Sequence, residues 1–302
     1  MSARAPLAVW LALGAGLVCF GFSAILIRYA DDAPALAVAA WRTGFAALII
    51  GPAAVARARA DWQRLSRRDW GLIAAAGVLM ACHFTAYILS LYHTSIASAS
   101  VLVTSSPIFI AILGSIFLKE RPTRRTMVAI VAAVAGGALI GWSDAQAGAF
   151  PRAALGNALA LSAALLYSVY LLVGRVVRQR VELLAYMAPV YAVVALCTAG
   201  AAVATGTPMA QPASILGLCL LMAIGPNIIG HGSINLALRY LPAALLGLLG
   251  LAEPVLATTY AFFLFGERPA APALLGIVLV LAAIGAVIAS ERRAAEVDTP
   301  AA

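Results

Sequence analysis

The sequence predicts an all-α integral membrane protein of ten transmembrane helices, arranged as two inverted five-helix repeats around a central cavity. Three observations predict it. The 302-residue chain is 64% hydrophobic and only 11% charged, with mean hydropathy +0.99, a surface that water could not solvate. Its apolar residues fall into ten continuous Ala/Leu-rich runs, not the alternating pattern of a barrel. And a motif recurs: F-L-K-E-R-P at Phe117–Pro122 returns as L-F-G-E-R-P at Leu264–Pro269, 147 residues later. A proline stands thirteen residues before each shared glutamate, Pro107 before Glu120 and Pro254 before Glu267. A repeat period this long indicates a duplicated bundle, not a solenoid of small units.

The ten runs, between charged or Gly/Pro punctuation, are 7–29, 34–56, 69–92, 96–118, 122–141, 154–177, 183–205, 212–238, 242–264 and 270–290. Each has about the 20 residues that a hydrocarbon core of roughly 30 Å demands. The first is too long for a signal-peptide core and is expected to be a retained helix. The second carries Arg42 about eight residues in, where snorkelling to the outer headgroups, or pairing with Asp31 or Asp32, is the first expectation and a hold on a substrate carboxylate the second. Between the second and third lies the basic stretch Arg57–Arg68, suited to anionic inner-leaflet headgroups. In the third, Met80, His83, Phe84 and Tyr87 share a face.

The fourth and ninth runs hold Pro107 and Pro254 near their middles, where a proline removes a backbone hydrogen bond and kinks the helix. The freed carbonyls need polar partners or a wet cavity. Thr104, Ser105 and Ser106 are candidates in one copy and Glu253 in the other. The fifth run contains Gly137-x3-Gly141, a helix-packing spacing. The sixth places Tyr167 and Tyr170 together, and the eighth repeats Asn227, His231 and Asn235 every four residues, which on a regular α-helix is one face. His83 and His231 are each expected within roughly 8 Å of the midplane, at 1.5 Å per residue.

Five runs per half is an odd number, so the second copy must enter the bilayer upside down relative to the first. The domains are then 1–148 and 149–302, joined in the outer connection Trp142–Arg152. The basic residues give the orientation. With the N-terminus inside, 16 of the 20 border the inner side, and Arg28, Arg42, Arg152 and Arg268 the outer. That asymmetry predicts a multi-pass inner-membrane protein with both termini cytoplasmic. It also gives the net charge of +8 an explanation that needs no nucleic acid.

The P-x12-E-R-P spacing, the segment Ala40–Phe45 (A-W-R-T-G-F) and the run Glu253–Ala257 leading to Gly266-Glu267-Arg268 resemble the EamA-type members of the drug/metabolite transporter superfamily. The likeness spans essentially the whole chain. It implies ten helices in two inverted repeats with a central cavity, moving small metabolites. Within that family the length and the polar residues of the third, sixth and eighth runs look most like the YddG-like amino-acid exporters, and export is implied by that likeness alone.

The expected function is secondary transport of a small-molecule substrate, most readily an amino acid, by alternating access without ATP. A multidrug or nucleotide-sugar carrier of the same fold is the alternative, and a membrane-embedded enzyme the remote one. No H-E-x-x-H, G-x-S-x-G, CxxC or Walker motif is present, so no cofactor, metal or ATPase subunit is expected. Cys19, Cys82, Cys197 and Cys219 lack metal spacing and lie in apolar runs. Polar groups inside a bilayer face cavities, so His83, Tyr87, Tyr167, His231 and Asn235 are the expected substrate-binding set. Glu253, Pro107 and Pro254 are candidates for coupling or gating; Glu253, the one acid well inside a run, is a candidate proton carrier.

Overall fold

The computed structural model describes residues 5–94, 96–119, 122–145, 151–265 and 271–297, and it is all-helical over them. The helices are α1 (Leu7–Tyr29), α2 (Ala35–Arg57), α3 (Arg59–Arg64), α4 (Arg67–His93), α5 (Ile96–Val103), α6 (Ser106–Phe117) and α7 (Arg124–Ala145). There follow α8 (Ala153–Arg178), α9 (Leu183–Ala204), α10 (Ala213–Met222), a π-helical stretch (Ala223–His231), α11 (Gly232–Ala237), α12 (Ala243–Gly250), α13 (Ala252–Phe265) and α14 (Ala271–Val297). Proline stands immediately before α1, α2, α10 and α12. There its missing N–H costs nothing, because the first turn has no acceptor for it. At the start of α4 the chain uses a capping box instead: Ser66 Oγ accepts from the Asp69 N–H at 3.2 Å, and Asp69 returns the bond to the Ser66 N–H at 3.0 Å.

Eight helical segments are long and apolar enough to cross a membrane among the described residues. They are α1, α2, α4, Ser98–Phe117, α8, α9, Ala213–Ala237 and Ala243–Leu264. The sequence leads one to expect ten; the remaining two regions are helical as well, as α7 and as α14, whose apolar part is Leu274–Ala286. The protein is a multi-pass integral membrane protein.

The fourth and ninth runs are broken rather than kinked. α5 ends at Val103 and α6 restarts at Ser106, so Pro107 lies in the first turn of a new helix. α12 ends at Gly250 and α13 begins at Ala252, with Pro254 again in the first turn. A fresh start removes the clash and the lost bond that mid-helix proline would bring. Hydroxyls add side-chain bonds to carbonyls around the first break. Thr104 Oγ1 donates to Ser100 O at 2.5 Å, Ser105 Oγ to Leu102 O at 2.6 Å, and Ser168 Oγ of α8 to Ser106 O at 3.1 Å.

The most extensive packing joins α4 to α8, α7 to α14, α2 to α9, and α1 to the π stretch with α11. Small residues allow the closest approaches. A Cβ on Gly16 would sit 2.0 Å from Ser233 Oγ, and one on Gly230 would sit 2.9 Å from the Phe20 ring. The α7–α14 contact is made by Gly136, whose missing Cβ leaves room for Gly276 O at 2.7 Å. Gly137, singled out from the spacing, has only Val101 of α5 nearby at 3.8 Å, one residue round the helix from the tight contact. The E-R-P glutamates and arginines (120–121 and 267–268) lie outside the described residues.

Candidate functional site

A cavity opens where the broken spans meet the rest of the bundle. Its wall is assembled from distant parts of the chain: Phe20 and Ser23 of α1, Arg42 of α2, and His83, Phe84 and Tyr87 of α4. The breaks contribute Thr104, Ser106, Gly250 and Glu253, while Tyr167 of α8, His231 of the π stretch and Ile234 of α11 close it. Prolines that force helices to restart, and glycines that leave space, therefore position the site.

Aromatic rings line one wall. His83 lies face to face with Tyr167 at a centroid distance of 5.1 Å, and its Nδ1 is 2.9 Å from Ala163 O, which fixes the ring against α8. His231 meets Phe20 (4.8 Å), Phe84 (5.2 Å) and Tyr167 (5.6 Å) edge to face. Edge-to-face contacts of this kind satisfy the ring quadrupoles. Tyr87 donates its phenolic O–H to Glu253 Oε1 at 2.9 Å, tying α4 to the break before α13.

Four of the five expected substrate-binding residues, His83, Tyr87, Tyr167 and His231, line this cavity; Asn235 does not. Its Nδ2 donates to Tyr170 Oη at 2.6 Å and back to His231 O at 2.7 Å, and the side chain is fully buried against α8. The reason is depth along the span: Asn235 lies a helical turn past His231, in α11, where Tyr170 of α8 takes its amide. A turn earlier, in the π stretch, Asn227 meets α2 and α9: its Oδ1 accepts from Arg42 Nη2 at 2.5 Å, its Nδ2 donates to Arg42 O at 3.2 Å, and its carbonyl accepts from Tyr191 Oη at 2.8 Å. Pro226, within the same stretch, is the sequence feature that marks the irregularity.

Arg42 departs furthest from expectation. It neither reaches a headgroup nor pairs with Asp31 or Asp32; it is 1% exposed and forms part of the cavity wall. Its guanidinium carbon stands 4.5 Å above the centre of the Phe84 ring, a cation–π contact. Among the described residues Asn227 is the one hydrogen-bond partner of its side chain, and its Nε and Nη1 have none. Arg28, which the sequence places at the interface, is the residue that lies 4.0 Å from Asp31.

Both ends of the bundle beyond the cavity are pinned. At one, Arg28 Nη2 donates to Thr94 O (3.2 Å), Tyr92 Oη to Ala33 O (2.8 Å) and Thr94 Oγ1 to Asn157 Oδ1 (2.9 Å). At the other, Arg175 Nη1 donates to Leu238 O (2.6 Å), Arg178 to the carbonyls of Asn235 and Val181, and Arg180 pairs with Asp69 at 2.5 Å. Arg239 and Glu182 add an ion pair at 2.6 Å; that pairing pushes the Arg239 guanidinium up from its ordinary value.

Three similarities bear on this arrangement. The model of the EamA-like transporter family matches residues 6–142 and again residues 154–289. An uncharacterized transporter of Bacillus subtilis (strain 168), YwfM, is 27% identical over 274 residues, 87% of each chain. A protein of known crystal structure superposes with a TM-score of 0.79 over 96% of this chain and 99% of its own, at 19% identity, which speaks to the fold alone.

Proposed function

The chain belongs to the EamA-like transporter family, and from that premise we propose that it is a secondary carrier that moves amino acids outward across the inner membrane by alternating access, without ATP. Transport by a multi-pass membrane protein is the family's property; the substrate, the direction and the two-fold architecture are our reading. The observation that carries it is the cavity: rings, neutral hydrogen-bonding groups, one guanidinium and one carboxyl side chain converge on it from both halves of the chain. A zwitterion with an apolar body is the small-molecule class that offers a complement to all four.

In this reading α7 and α14 complete ten spans, and residues 1–148 and 149–302 are two five-helix repeats of opposite orientation. Two matches of one family model, over stretches of nearly equal length, support it. So does the packing. Each major contact has a counterpart five spans along: α4 on α8 is answered by the α10–α11 span on α1, and α4 on α9 by that same span on α2. α2 with α9, and α7 with α14, pair across the halves. The bonds Arg28 to Thr94 O and Arg175 to Leu238 O, whose donors stand at equivalent positions 147 residues apart, belong to the outer and inner closures. The asymmetry of the basic residues supports cytoplasmic termini in this reading. Substrate in the cavity would be released to either side as one set of closing bonds yields and the other holds.

Counterflow in proteoliposomes tests the proposal. Preloading with unlabelled amino acids should accelerate uptake of the labelled one, with no effect of ATP. Acceleration by cationic drugs alone, or by nucleotide sugars alone, would replace the substrate class.

A further inference from the structure

We propose that Arg42 is the carboxylate anchor of the cavity: its guanidinium binds the anionic end of the substrate while the aromatic wall takes the body. This rests on the cavity being the transport site. The argument begins with an imbalance. A guanidinium that is 1% exposed, inside a membrane-spanning helix, carries a full charge whose burial without a partner is costly. Among the described residues no acidic side chain forms an ion pair with it, and Glu253, the acid in the same wall, is engaged by Tyr87. The Asn227 amide is a neutral acceptor that takes a single N–H.

The remaining donors are the informative part. Nε and Nη1 are both buried and have no hydrogen-bond partner among the described residues. Nη2 has two hydrogens and gives one to Asn227, so the other still forms a two-pronged fork with Nε or with Nη1. Such a fork matches the two oxygens of a carboxylate, and does not match an alcohol or an ammonium group. The group is also held still. Phe84 supports its face, and the reciprocal bonds with Asn227 fix both its head and its own backbone carbonyl. A rigid donor set without acceptors, on a residue that lines a cavity, is pre-organised for an acceptor that arrives from outside.

Three aromatic probes separate the carboxylate from everything else: 3-phenylpropanoate, its amide 3-phenylpropanamide, and 3-phenylpropylamine. Binding to the purified full-length chain in nanodiscs should be saturable for the acid, and about tenfold or more weaker for the amide and the amine. Arg42→Gln should lose the acid by about tenfold or more while leaving the amide unchanged. Arg42→Lys, which keeps the charge but not the fork, should fall between the two. Should Arg42→Gln not yield monodisperse protein, Arg42→Lys decides, and acid affinity equal to wild type overturns the proposal. It is equally overturned if wild-type protein binds acid and amide alike, or shows no saturable binding of the acid. The two readings fail separately. Arg42-dependent binding of the acid with no amino-acid counterflow would retire the amino-acid substrate and keep the anchor. Amino-acid counterflow at wild-type rate in Arg42→Gln would do the reverse.

Discussion

At the residue scale, side chains that line the cavity stand apart from side chains that only hold its wall. His83, Tyr167 and His231 present ring faces and edges to the space, whereas Asn235 is spent on Tyr170 and on the His231 carbonyl. Alanine at His83, Tyr167 or His231 should therefore reduce flux with membrane abundance unchanged. Asn235→Ala should leave the substrate KM alone and lower stability by about 1–3 kcal/mol, because a buried phenol and a buried carbonyl lose their partner. Thermal unfolding in detergent beside uptake kinetics distinguishes the two patterns; a raised KM in Asn235→Ala would return that residue to the site. Tyr87→Phe isolates one bond. It keeps the ring and removes the O–H that Glu253 Oε1 accepts, so the carboxyl loses a donor in a site that water reaches poorly. Stability should fall by about 1–3 kcal/mol and transport with it. A variant indistinguishable from wild type in both measurements would show that this bond holds neither α4 nor α13 in place.

At the scale of elements, most of the fold was legible and the exceptions share a cause. Hydrophobic length and punctuation located the helices to within a few residues, because in lipid every backbone group must find an internal partner and only a continuous helix provides that cheaply. What the pattern could not give is how the backbone responds where that rule is strained. Pro107 and Pro254 marked the sites, yet the restarts themselves, at Ser106 after Val103 and at Ala252 after Gly250, leave no trace in the hydrophobic pattern. A third irregularity, the π stretch around Pro226, was not read from the pattern, and the partners that engage Asn227 and Asn235, Arg42 and Tyr170, come from distant helices. Arg42 was misread for a related reason: its partner lies on that π stretch, 185 residues away, and one-dimensional spacing carries no trace of it. The α1 contact to the same stretch gives a test. Gly230→Val would drive a side chain into the Phe20 ring and Gly16→Val one into Ser233, so each should cost about 1–3 kcal/mol or more through overpacking. Gly14→Val, which meets nothing within 4 Å, is the control and should melt like wild type. Equal melting temperatures for all three would mean that α1 does not pack at these glycines.

At the scale of the whole molecule, alternating access needs two closures that are never released together, and an inverted duplication supplies them from one design. If a five-helix unit was copied and turned over, any bond that seals its first version on one face recurs in the second version on the other. Arg28 and Arg175 would be such a pair: each sits in the last turn of a long helix, α1 or α8, and donates to the carbonyl just past the end of another, Thr94 after α4 or Leu238 after α11. Were the halves inserted in the same sense, both bonds would lie on one face, and the opposite end would need an unrelated device. The connections following these helices make the distinction measurable. Asp32 lies between α1 and α2 and Gln179 between α8 and α9, both exposed and 147 residues apart. On a chain freed of its four native cysteines, Asp32→Cys should react with an impermeant maleimide only from the periplasmic face, and Gln179→Cys only after the membrane is opened. Labelling of both from the same face would leave the fold all-helical and the family unchanged, but it would remove the inversion, and with it the account of how one cavity is reached from two sides.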